Sequence, residues 1–166
     1  MADNPPMTGF RPNVCIAITD QARENVLVFR RVDILLSPHQ WQFPQGGIKP
    51  GETPEEGMRR ELLEEIGTAA VEVLDQIPEP ICYEYPEETL AHLRAQGSKL
   101  ATFRGQEQHW FLARLNVGTE TIHFHNHKPE FDAFEWVTPR EALERVVPFK
   151  QSAYRLALSG FNLLKD

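Results

Sequence analysis

The sequence predicts an α+β fold in which helices cover a mixed β-sheet. Short apolar segments typical of strands precede, separate and follow segments with helical periodicity, an order that favours one sheet packed between helices. One of the helical segments carries complete start and stop signals. The chain has 166 residues, 41% of them apolar and 25% charged, which is the composition and length of a single globular domain.

The chain begins with a segment predicted to be a flexible tail over residues 1–9, followed by a domain over residues 10–166. The tail is polar and contains Pro5, Pro6 and Gly9, as loosely ordered termini often do. The apolar run at residues 14–18 predicts a buried strand, and residues 26–29 predict its partner.

Residues 54–66 predict the best-defined helix. Thr53 can accept a hydrogen bond as the N-cap, Pro54 suits the first helical position, and Glu56 completes a capping box. Gly67 supplies the C-terminal stop. The preceding residues 33–51, rich in Gly and Pro, predict a loop.

The remaining elements follow from shorter patterns. Strands are expected at residues 71–77, 81–85, 100–103, 110–115 and 134–137, a short helix or turn at 90–95, and helices at 139–146 and 149–163.

The charge distribution limits the possible partners. The 17 Lys and Arg against 24 Asp and Glu give a net charge of −7, and this deficit lies between residues 46 and 100. An acidic chain is a poor general binder of nucleic acid, so DNA is not expected as a partner. No run is long and apolar enough to span a membrane, and the N-terminus lacks a signal-peptide pattern. Two cysteines, Cys15 and Cys82, cannot form a disulfide scaffold and are expected to be buried. A cytoplasmic protein is the expectation.

Three carboxylates share one side of the predicted helix. Glu61, Glu64 and Glu65 are separated by three, four and one residues, and therefore lie within about a quarter turn. Such an acidic surface is often simply solvated. Oxygen-only ligands of this kind also suit hard cations such as Mg²⁺ or Mn²⁺.

The surrounding residues resemble the Nudix box over residues 46–68. The matching positions are Gly46, Glu52, Arg60, Glu61, Leu62, Glu64, Glu65 and Gly67. Thr68 departs from the pattern, which has a bulky aliphatic residue there. The resemblance implies a Nudix-type α/β/α sandwich and a metal-dependent hydrolase of phosphoanhydride bonds. It also implies catalytic roles for Glu61, Glu64 and Glu65 as ligands of two or three ions, with Glu61 a ligand or the general base and Arg60 bracing the carboxylates.

Flanking segments narrow the resemblance to one subgroup, the bacterial RNA pyrophosphohydrolases and the similar diadenosine tetraphosphate hydrolases. The matching segments are residues 10–14, 41–47, 105–111, 129–131 and 149–150. Cys15, Phe10 and a longer stretch at residues 32–40 depart from the subgroup. The resemblance implies Glu130 as a further metal ligand. It implies substrate contacts from Arg11, Arg31, Gln42, Gln106, Phe149 and Lys150.

The expected activity is removal of pyrophosphate or phosphate from 5′-triphosphate or 5′-diphosphate RNA ends, leaving 5′-monophosphate RNA, as in mRNA decay. The alternative substrate is a dinucleoside polyphosphate such as diadenosine tetraphosphate. A non-catalytic nucleotide-binding module is a third hypothesis, disfavoured because all three helix carboxylates are present. A stimulating protein partner is conceivable, but the residues do not identify one.

Three alternating histidines lie outside the box. On a strand, His123, His125 and His127 would share one face, and imidazole suits Zn²⁺. No Cys or carboxylate cluster accompanies them, so an exposed polar strand end is the preferred interpretation.

Overall fold

The chain folds into two β-sheets and four α-helices within the residues that the computed structural model describes, 9–126 and 128–164. The strands are β1 (Phe10–Ile18), β2 (Val26–Arg31), β3 (Trp41–Gln42), β4 (Gln45–Gly47), β5 (Val71–Gln76), β6 (Ile81–Glu84), β7 (Gly105–Leu115) and β8 (Phe131–Val137). The helices are α1 (Pro54–Ile66), α2 (Glu87–Ala95), α3 (Pro139–Arg145) and α4 (Gln151–Gly160).

The larger sheet is mixed and is organised around β7. Strand β1 pairs with β7 in parallel from Phe10 opposite Gly105 to Ile18 opposite Ala113. Strands β5 and β6 pair antiparallel with the other edge of β7, and β4 pairs antiparallel with β1. The smaller sheet is antiparallel, in the order β3-β2-β8. The predicted mixed sheet is confirmed, and the second sheet is an addition that the sequence analysis did not separate from it.

Alternate residues of β1 face two different layers of helices. Val14 and Ile16 join a buried cluster that includes Met58 of α1, whereas Cys15 joins a cluster that includes Tyr154 of α4. Since successive side chains of a strand point to opposite faces, β1 lies between α1 and the α3–α4 layer. The α+β class and the α/β/α arrangement are therefore confirmed.

Helix α1 has the predicted bounds and both predicted caps. The Thr53 hydroxyl accepts a hydrogen bond from the Glu56 backbone N–H at 3.1 Å, and the Glu56 carboxylate accepts one from the Thr53 N–H at 2.8 Å. Gly67 ends the helix with φ of 82°, a left-handed conformation that glycine adopts readily. These local signals fix where the carboxylates of the box stand on the helix.

Strands β3 and β4 lie in the segment that was predicted to be a loop. Their short sequences do not show strand periodicity, and they are extended because Trp41 pairs with Arg30 and Gly46 pairs with Val14. The connection between them is held by α4: the Phe43 N–H donates to the buried Tyr154 hydroxyl at 2.9 Å, and the two rings stack at 4.7 Å. This contact fixes the residues just before β4 against α4.

Two other element predictions are wrong. Residues 100–103 form no strand; Lys99–Thr102 is a 3₁₀ turn capped by the Ser98 hydroxyl, because the chain must reverse between α2 and β7. The closing helix is shorter than residues 149–163: a 3₁₀ turn at Pro148–Lys150 precedes α4, and Asn162 with a φ of 61° follows it.

The two ends of the chain lie only partly within the residues that the structure describes. Most of the predicted tail, residues 1–8, lies outside the described residues. At its end, the Gly9 carbonyl accepts a hydrogen bond from the Arg104 N–H at 2.9 Å, so this residue is attached to the start of β7. Within the described residues, none of the helices has both the length and the apolar character that a membrane span requires.

Candidate active site

A cleft of about 630 Å³ brings together most of the residues that the sequence assigns to metal and substrate. Its lining includes eight of them: Arg11, Arg31, Gln42, Gln106, Glu61, Glu64, Glu65 and Glu130. They come from β1, β2, β3, β7, α1 and the segment just before β8. Carboxylates and guanidinium groups therefore line the same cleft, as binding of both cations and phosphate requires.

The parallel pairing of β1 and β7 explains one part of this lining. Arg11 lies directly opposite Gln106 in the strand register. Directly opposite residues of neighbouring strands project from the same face of a sheet. A cation and an amide separated by 95 positions in the sequence therefore meet at one edge of the cleft.

Arg60 holds three carboxylates around one guanidinium group. Its Nε donates to Glu52 at 2.6 Å, and its Nη1 donates to Glu61 at 2.8 Å and reaches Glu64 at 3.4 Å. Its Nη2 also donates to the Gly47 carbonyl at 2.8 Å. The hydrogen bonds to Arg60 lower the pKa of Glu52 to about 2. Arg60 thus connects α1 to β4 and braces the acidic side chains, as the resemblance implies.

Two carboxyl groups have pKa values above their ordinary range. Burial raises the pKa of Glu61, and the neighbouring charges of Glu64 and Glu130 add to this effect, against the opposing influence of Arg60. Burial also raises the pKa of Glu65, which lies against Glu130. Because like charges repel in a poorly solvated cleft, this group of carboxylates would be stabilised by cations.

Two glycines allow β4 to approach the charged side chains. A Cβ at Gly46 would lie 2.0 Å from the Glu61 carboxyl carbon, and one at Gly47 would lie 2.2 Å from an Arg11 guanidinium nitrogen. Both distances are far below van der Waals contact. The carboxylate of Glu61 and the guanidinium group of Arg11 therefore occupy the space that larger side chains on β4 would fill.

A row of hydrogen-bonded residues, which includes the buried amides of Asn13 and Gln108, connects the strands of the larger sheet to the carboxylate of Glu65. Gln108 donates from Nε2 to Asn13 at 2.9 Å and to the Gln45 side chain at 3.0 Å, and the Gln45 backbone N–H donates to Glu65 at 3.2 Å. The sequence analysis missed this row. Two of its members, Asn13 and Gln108, stand in the sequence just before the apolar runs of their strands.

The donor set of the cleft fits a hard divalent cation. Five carboxylates line it. Asp33 is paired with Arg31, and the other four are Glu61, Glu64, Glu65 and Glu130; oxygen ligands are those preferred by Mg²⁺ and Mn²⁺. Across residues 9–126 and 128–164, no three acidic, histidine or cysteine side chains already converge as a ready ligand cluster. Arg60 Nη1 holds one oxygen of Glu61 and one of Glu64, which leaves the second oxygen of each for a cation.

Lys150 and Phe149 lie behind the cleft rather than in its lining. Lys150 is only 4% exposed, and its Nζ donates to the Gln42 side-chain oxygen at 3.3 Å. Arg31 donates to the same oxygen at 3.3 Å, so Gln42 connects the buried amine to the cleft. Phe149 packs against Tyr83 and Tyr85 at centroid distances of 5.8 and 6.3 Å.

Lys150 makes the stability of the protein depend on pH. Burial, followed by the charge of Arg31, lowers the pKa of Lys150 from 10.5 to about 7 in the folded protein. Between these values the unfolded chain binds more protons than the folded one, so the free energy of unfolding rises with pH. Since one pKa unit corresponds to about 1.4 kcal/mol, this rise amounts to a few kcal/mol.

The variant Lys150→Met is expected to lack this rise. Urea unfolding of both proteins between about pH 6 and about pH 10 measures it. The stability of the natural chain minus that of the variant should increase with pH. The matched control is Lys99→Met, at an exposed lysine. Its free energy of unfolding should change with pH in the same way as that of the natural chain. If the difference in the free energy of unfolding between the natural chain and Lys150→Met stays constant with pH, the pKa of Lys150 is not lowered by burial.

The positions of the histidines and the exposure of one cysteine differ from those expected. His123 and His125 do not lie on a strand; they follow a 3₁₀ turn at Thr119–Thr121 and pack at the end of α1, with ring centroids 4.6 Å apart. His127 lies outside the described residues. Cys15 is buried as expected, whereas Cys82 is exposed, because β6 alternates and this residue faces away from the core.

Comparison with known proteins agrees with the geometry. A family model described as the NUDIX domain matches residues 9–157. An RNA pyrophosphohydrolase of Helicobacter pylori (strain ATCC 700392 / 26695) is 42% identical over 155 residues, covering 92% of this chain and 93% of that protein. An RNA pyrophosphohydrolase of Erythrobacter litoralis is 45% identical over 129 residues, covering 75% and 74%.

The fold has solved relatives as well. The structure of the E. coli dihydroneopterin triphosphate pyrophosphohydrolase superposes with a TM-score of 0.65 at 21% identity, covering 93% of this chain and 97% of that one. The sequence match spans most of the chain, and Glu61, Glu64 and Glu65 of the box line one cleft together with Gly46. The chain therefore belongs to the Nudix family.

Proposed function

We propose that this protein is a pyrophosphohydrolase that removes pyrophosphate or phosphate from 5′-triphosphate or 5′-diphosphate RNA ends and leaves a 5′-monophosphate. The observation that carries the proposal is the cleft in which Glu61, Glu64, Glu65 and Glu130 lie together with Arg11 and Arg31. The names of the relatives at 42% and 45% identity support RNA ends as the substrate.

Nudix hydrolases generally use divalent metal ions, and we assign Mg²⁺ or Mn²⁺ to this cleft, two or three ions held by Glu61, Glu64, Glu65 and Glu130. When bound, such ions neutralise a polyphosphate and lower the pKa of a coordinated water. Arg11 binds phosphate oxygens, which guanidinium groups do with two parallel hydrogen bonds. Arg31, whose Nε and Nη2 donate to Asp33 at 2.9 and 2.7 Å, adds positive charge to the same cleft and binds phosphate in exchange for that carboxylate. Arg60 keeps the carboxylates in place through its contacts with Glu61 and Gly47.

We assign to Glu61 the role of general base, which accepts the proton of the attacking water. Its side chain is only 12% exposed, and Arg60 contacts just one of its carboxylate oxygens, so the other oxygen can accept a proton inside the cleft. Glu65 is less suited, because it already accepts a hydrogen bond from the Gln45 N–H and lies against Glu130.

The remaining assigned residues position the 5′ end of the substrate. Gln106 lines the cleft beside Arg11, and its amide donates to the Tyr85 hydroxyl. Gln42 presents to Arg31 the oxygen that Lys150 also contacts. Phe149 packs against Tyr85, the partner of Gln106, and we assign it to supporting the base-binding end of the cleft from behind. We place this activity in the cytoplasm, in mRNA decay; both cysteines are free, as reducing compartments favour.

The test offers the purified protein 5′-triphosphorylated RNA and diadenosine tetraphosphate side by side, each with Mg²⁺ and with EDTA. We expect consumption of the RNA end, with release of pyrophosphate or phosphate, only when metal is present. Consumption of the dinucleotide alone would make the dinucleoside polyphosphate the substrate. No consumption of either substrate with metal would overturn the enzymatic proposal and favour a nucleotide-binding module.

A further inference from the structure

The lining of the cleft contains apolar side chains that the proposed hydrolysis does not use. Most of the lining is charged or carries amides, but Val32, Leu100 and Pro129 are apolar. Val32 is 43% exposed, and Leu100 is half-buried. These side chains cannot bind a cation or a phosphate group, so the polyphosphate part of the substrate does not explain their place in the cleft.

Leu100 lies on the same side of the cleft as Gln106. It belongs to the 3₁₀ turn at Lys99–Thr102, which ends just before β7 begins. The Arg104 carbonyl, between this turn and β7, accepts a hydrogen bond from the Tyr85 N–H at 2.8 Å. The Tyr85 hydroxyl in turn accepts a hydrogen bond from Gln106 Nε2. These contacts hold the turn that carries Leu100 against the start of β7, where Gln106 stands.

The Gln106 side chain has an oxygen atom without a partner. Gln106 is only 3% exposed, although it lines the cleft. Its Nε2 is held by Tyr85, whereas its buried Oε1 accepts no hydrogen bond within residues 9–126 and 128–164. Buried polar atoms of native proteins are nearly always paired, because an unpaired one is costly. A hydrogen-bond donor on the bound substrate would satisfy Oε1.

The nucleoside part of the substrate is the source of such a donor. Polyphosphate oxygens bound to cations accept hydrogen bonds and do not donate them. Arg11, the proposed phosphate contact, lies directly opposite Gln106 in the strand register, and only one ribose separates the innermost phosphate from the first base. A base combines a flat ring face with an edge that carries amino groups. Leu100 and Gln106 Oε1 offer an apolar surface and an acceptor for these two features.

We propose that Leu100, Val32 and Gln106 bind the first nucleobase of the substrate, and that Gln106 selects a base with an exocyclic amino group. Leu100 and Val32 pack against the ring, and Gln106 Oε1 accepts a hydrogen bond from the amino group, as on adenine. Tyr85 is a positioning residue, because its hydroxyl holds the Gln106 amide through Nε2. This proposal rests on the proposed hydrolase function and adds a base preference to the same site.

The preference is tested on the natural protein with RNAs that differ in one group. All carry a 5′-triphosphate, and the first nucleoside is adenosine, purine riboside, which lacks the amino group, or 2′-deoxyadenosine. With Mg²⁺, kcat/KM should be about fivefold lower for purine riboside than for adenosine, the effect of one hydrogen bond, and unchanged for 2′-deoxyadenosine. Equal values for adenosine and purine riboside, or a loss for 2′-deoxyadenosine alone, would overturn the assignment of Gln106 to the base.

Variants separate the base contacts from the phosphate contacts. Gln106→Leu should abolish the difference between adenosine and purine riboside. Leu100→Ser should lower kcat/KM for both RNAs about fivefold through lost apolar contact, without changing the inhibition constant of inorganic tripolyphosphate, which has no base. Leu156→Ser, at an exposed leucine of α4 outside the cleft lining, is the matched control and should change neither value. An equal loss of tripolyphosphate binding in Leu100→Ser would reject its contact with the base.

A binding measurement distinguishes failure of this proposal from failure of the hydrolase function. Calorimetric titration with Mg²⁺ should show tighter binding of adenosine 5′-monophosphate than of purine riboside 5′-monophosphate, again by about fivefold. Equal affinities in a protein that hydrolyses RNA ends would reject the base site and leave the hydrolase function standing. A preference for adenosine 5′-monophosphate in a protein without hydrolysis would support the base site and reject the hydrolase function.

Discussion

Replacing Glu64 with glutamine is expected to lower kcat for hydrolysis of the RNA 5′ end by about two to four orders of magnitude. The change removes one negative charge from a proposed cation ligand and keeps the shape of the side chain. Glu64 is a suitable target because its side chain is 49% exposed, with only a 3.4 Å contact to Arg60. The fold should therefore be almost unaffected, with a loss of less than about 1 kcal/mol.

The measurement is steady-state kinetics over a range of Mg²⁺ concentrations, together with urea unfolding. Glu55→Gln is the matched control, because Glu55 is on the same helix, lies outside the lining of the cleft and forms a surface ion pair with Arg59. This control should keep full activity. A reduction in kcat for Glu64→Gln of less than about fivefold would mean that the carboxylate neither binds a cation nor acts in the reaction.

Replacing Gly46 with alanine is expected to lower kcat by about 100-fold, because misplacement of a reacting group by about 1 Å can have this effect. The new Cβ would occupy the position of the Glu61 carboxylate, with distances of 2.0–2.4 Å to its atoms. Glu61 can move, since its carboxylate ends a flexible side chain, but it then leaves its contact with Arg60. Catalysis should suffer more than folding.

Gly47→Ala is the natural comparison because it places the same methyl group one residue further along β4. There the Cβ would lie 2.2 Å from the Arg11 guanidinium group. That group is a proposed phosphate contact, whereas the group displaced by a Cβ at Gly46 is a carboxylate. Gly47→Ala should therefore raise KM more than it lowers kcat, and Gly46→Ala should do the reverse. If both variants change kcat and KM in the same proportion, the division of the cleft into carboxylate and phosphate-binding sides is wrong.

Local signals were sufficient to predict α1 and the positions of its functional groups. Thr53, Glu56 and Gly67 define its ends through contacts within a few residues, and the helical repeat then places Glu61, Glu64 and Glu65 together. Residues 14–18 of β1 and 26–29 of β2 were also predicted, because these parts of the strands are buried and continuously apolar. By contrast, β4 was not, because Gly46 is extended only through its pairing with Val14.

The roles assigned to individual residues stay predictions, and the structure changes the setting of several. Lys150 was expected to touch substrate, yet it is buried and reaches the cleft only through Gln42. No sequence pattern distinguishes a buried lysine from an exposed one near a helix start. The burial results from packing of the Pro148–Lys150 turn against β6, where Phe149 meets Tyr83.

The sequence by itself determined the family resemblance, the α+β class and the acidic surface of α1, since each depends on residue types at short, regular separations. Only the tertiary structure decided which distant residues share the cleft. Glu130 meets Glu65 across 65 positions, and Arg11 meets Gln106 through the parallel register of β1 and β7. His123 likewise lies against the end of α1 because a segment beyond β7 packs there, with its N–H bonded to the Ile66 carbonyl. Local periodicity contains no information about such contacts, which arise only when separate elements are packed together.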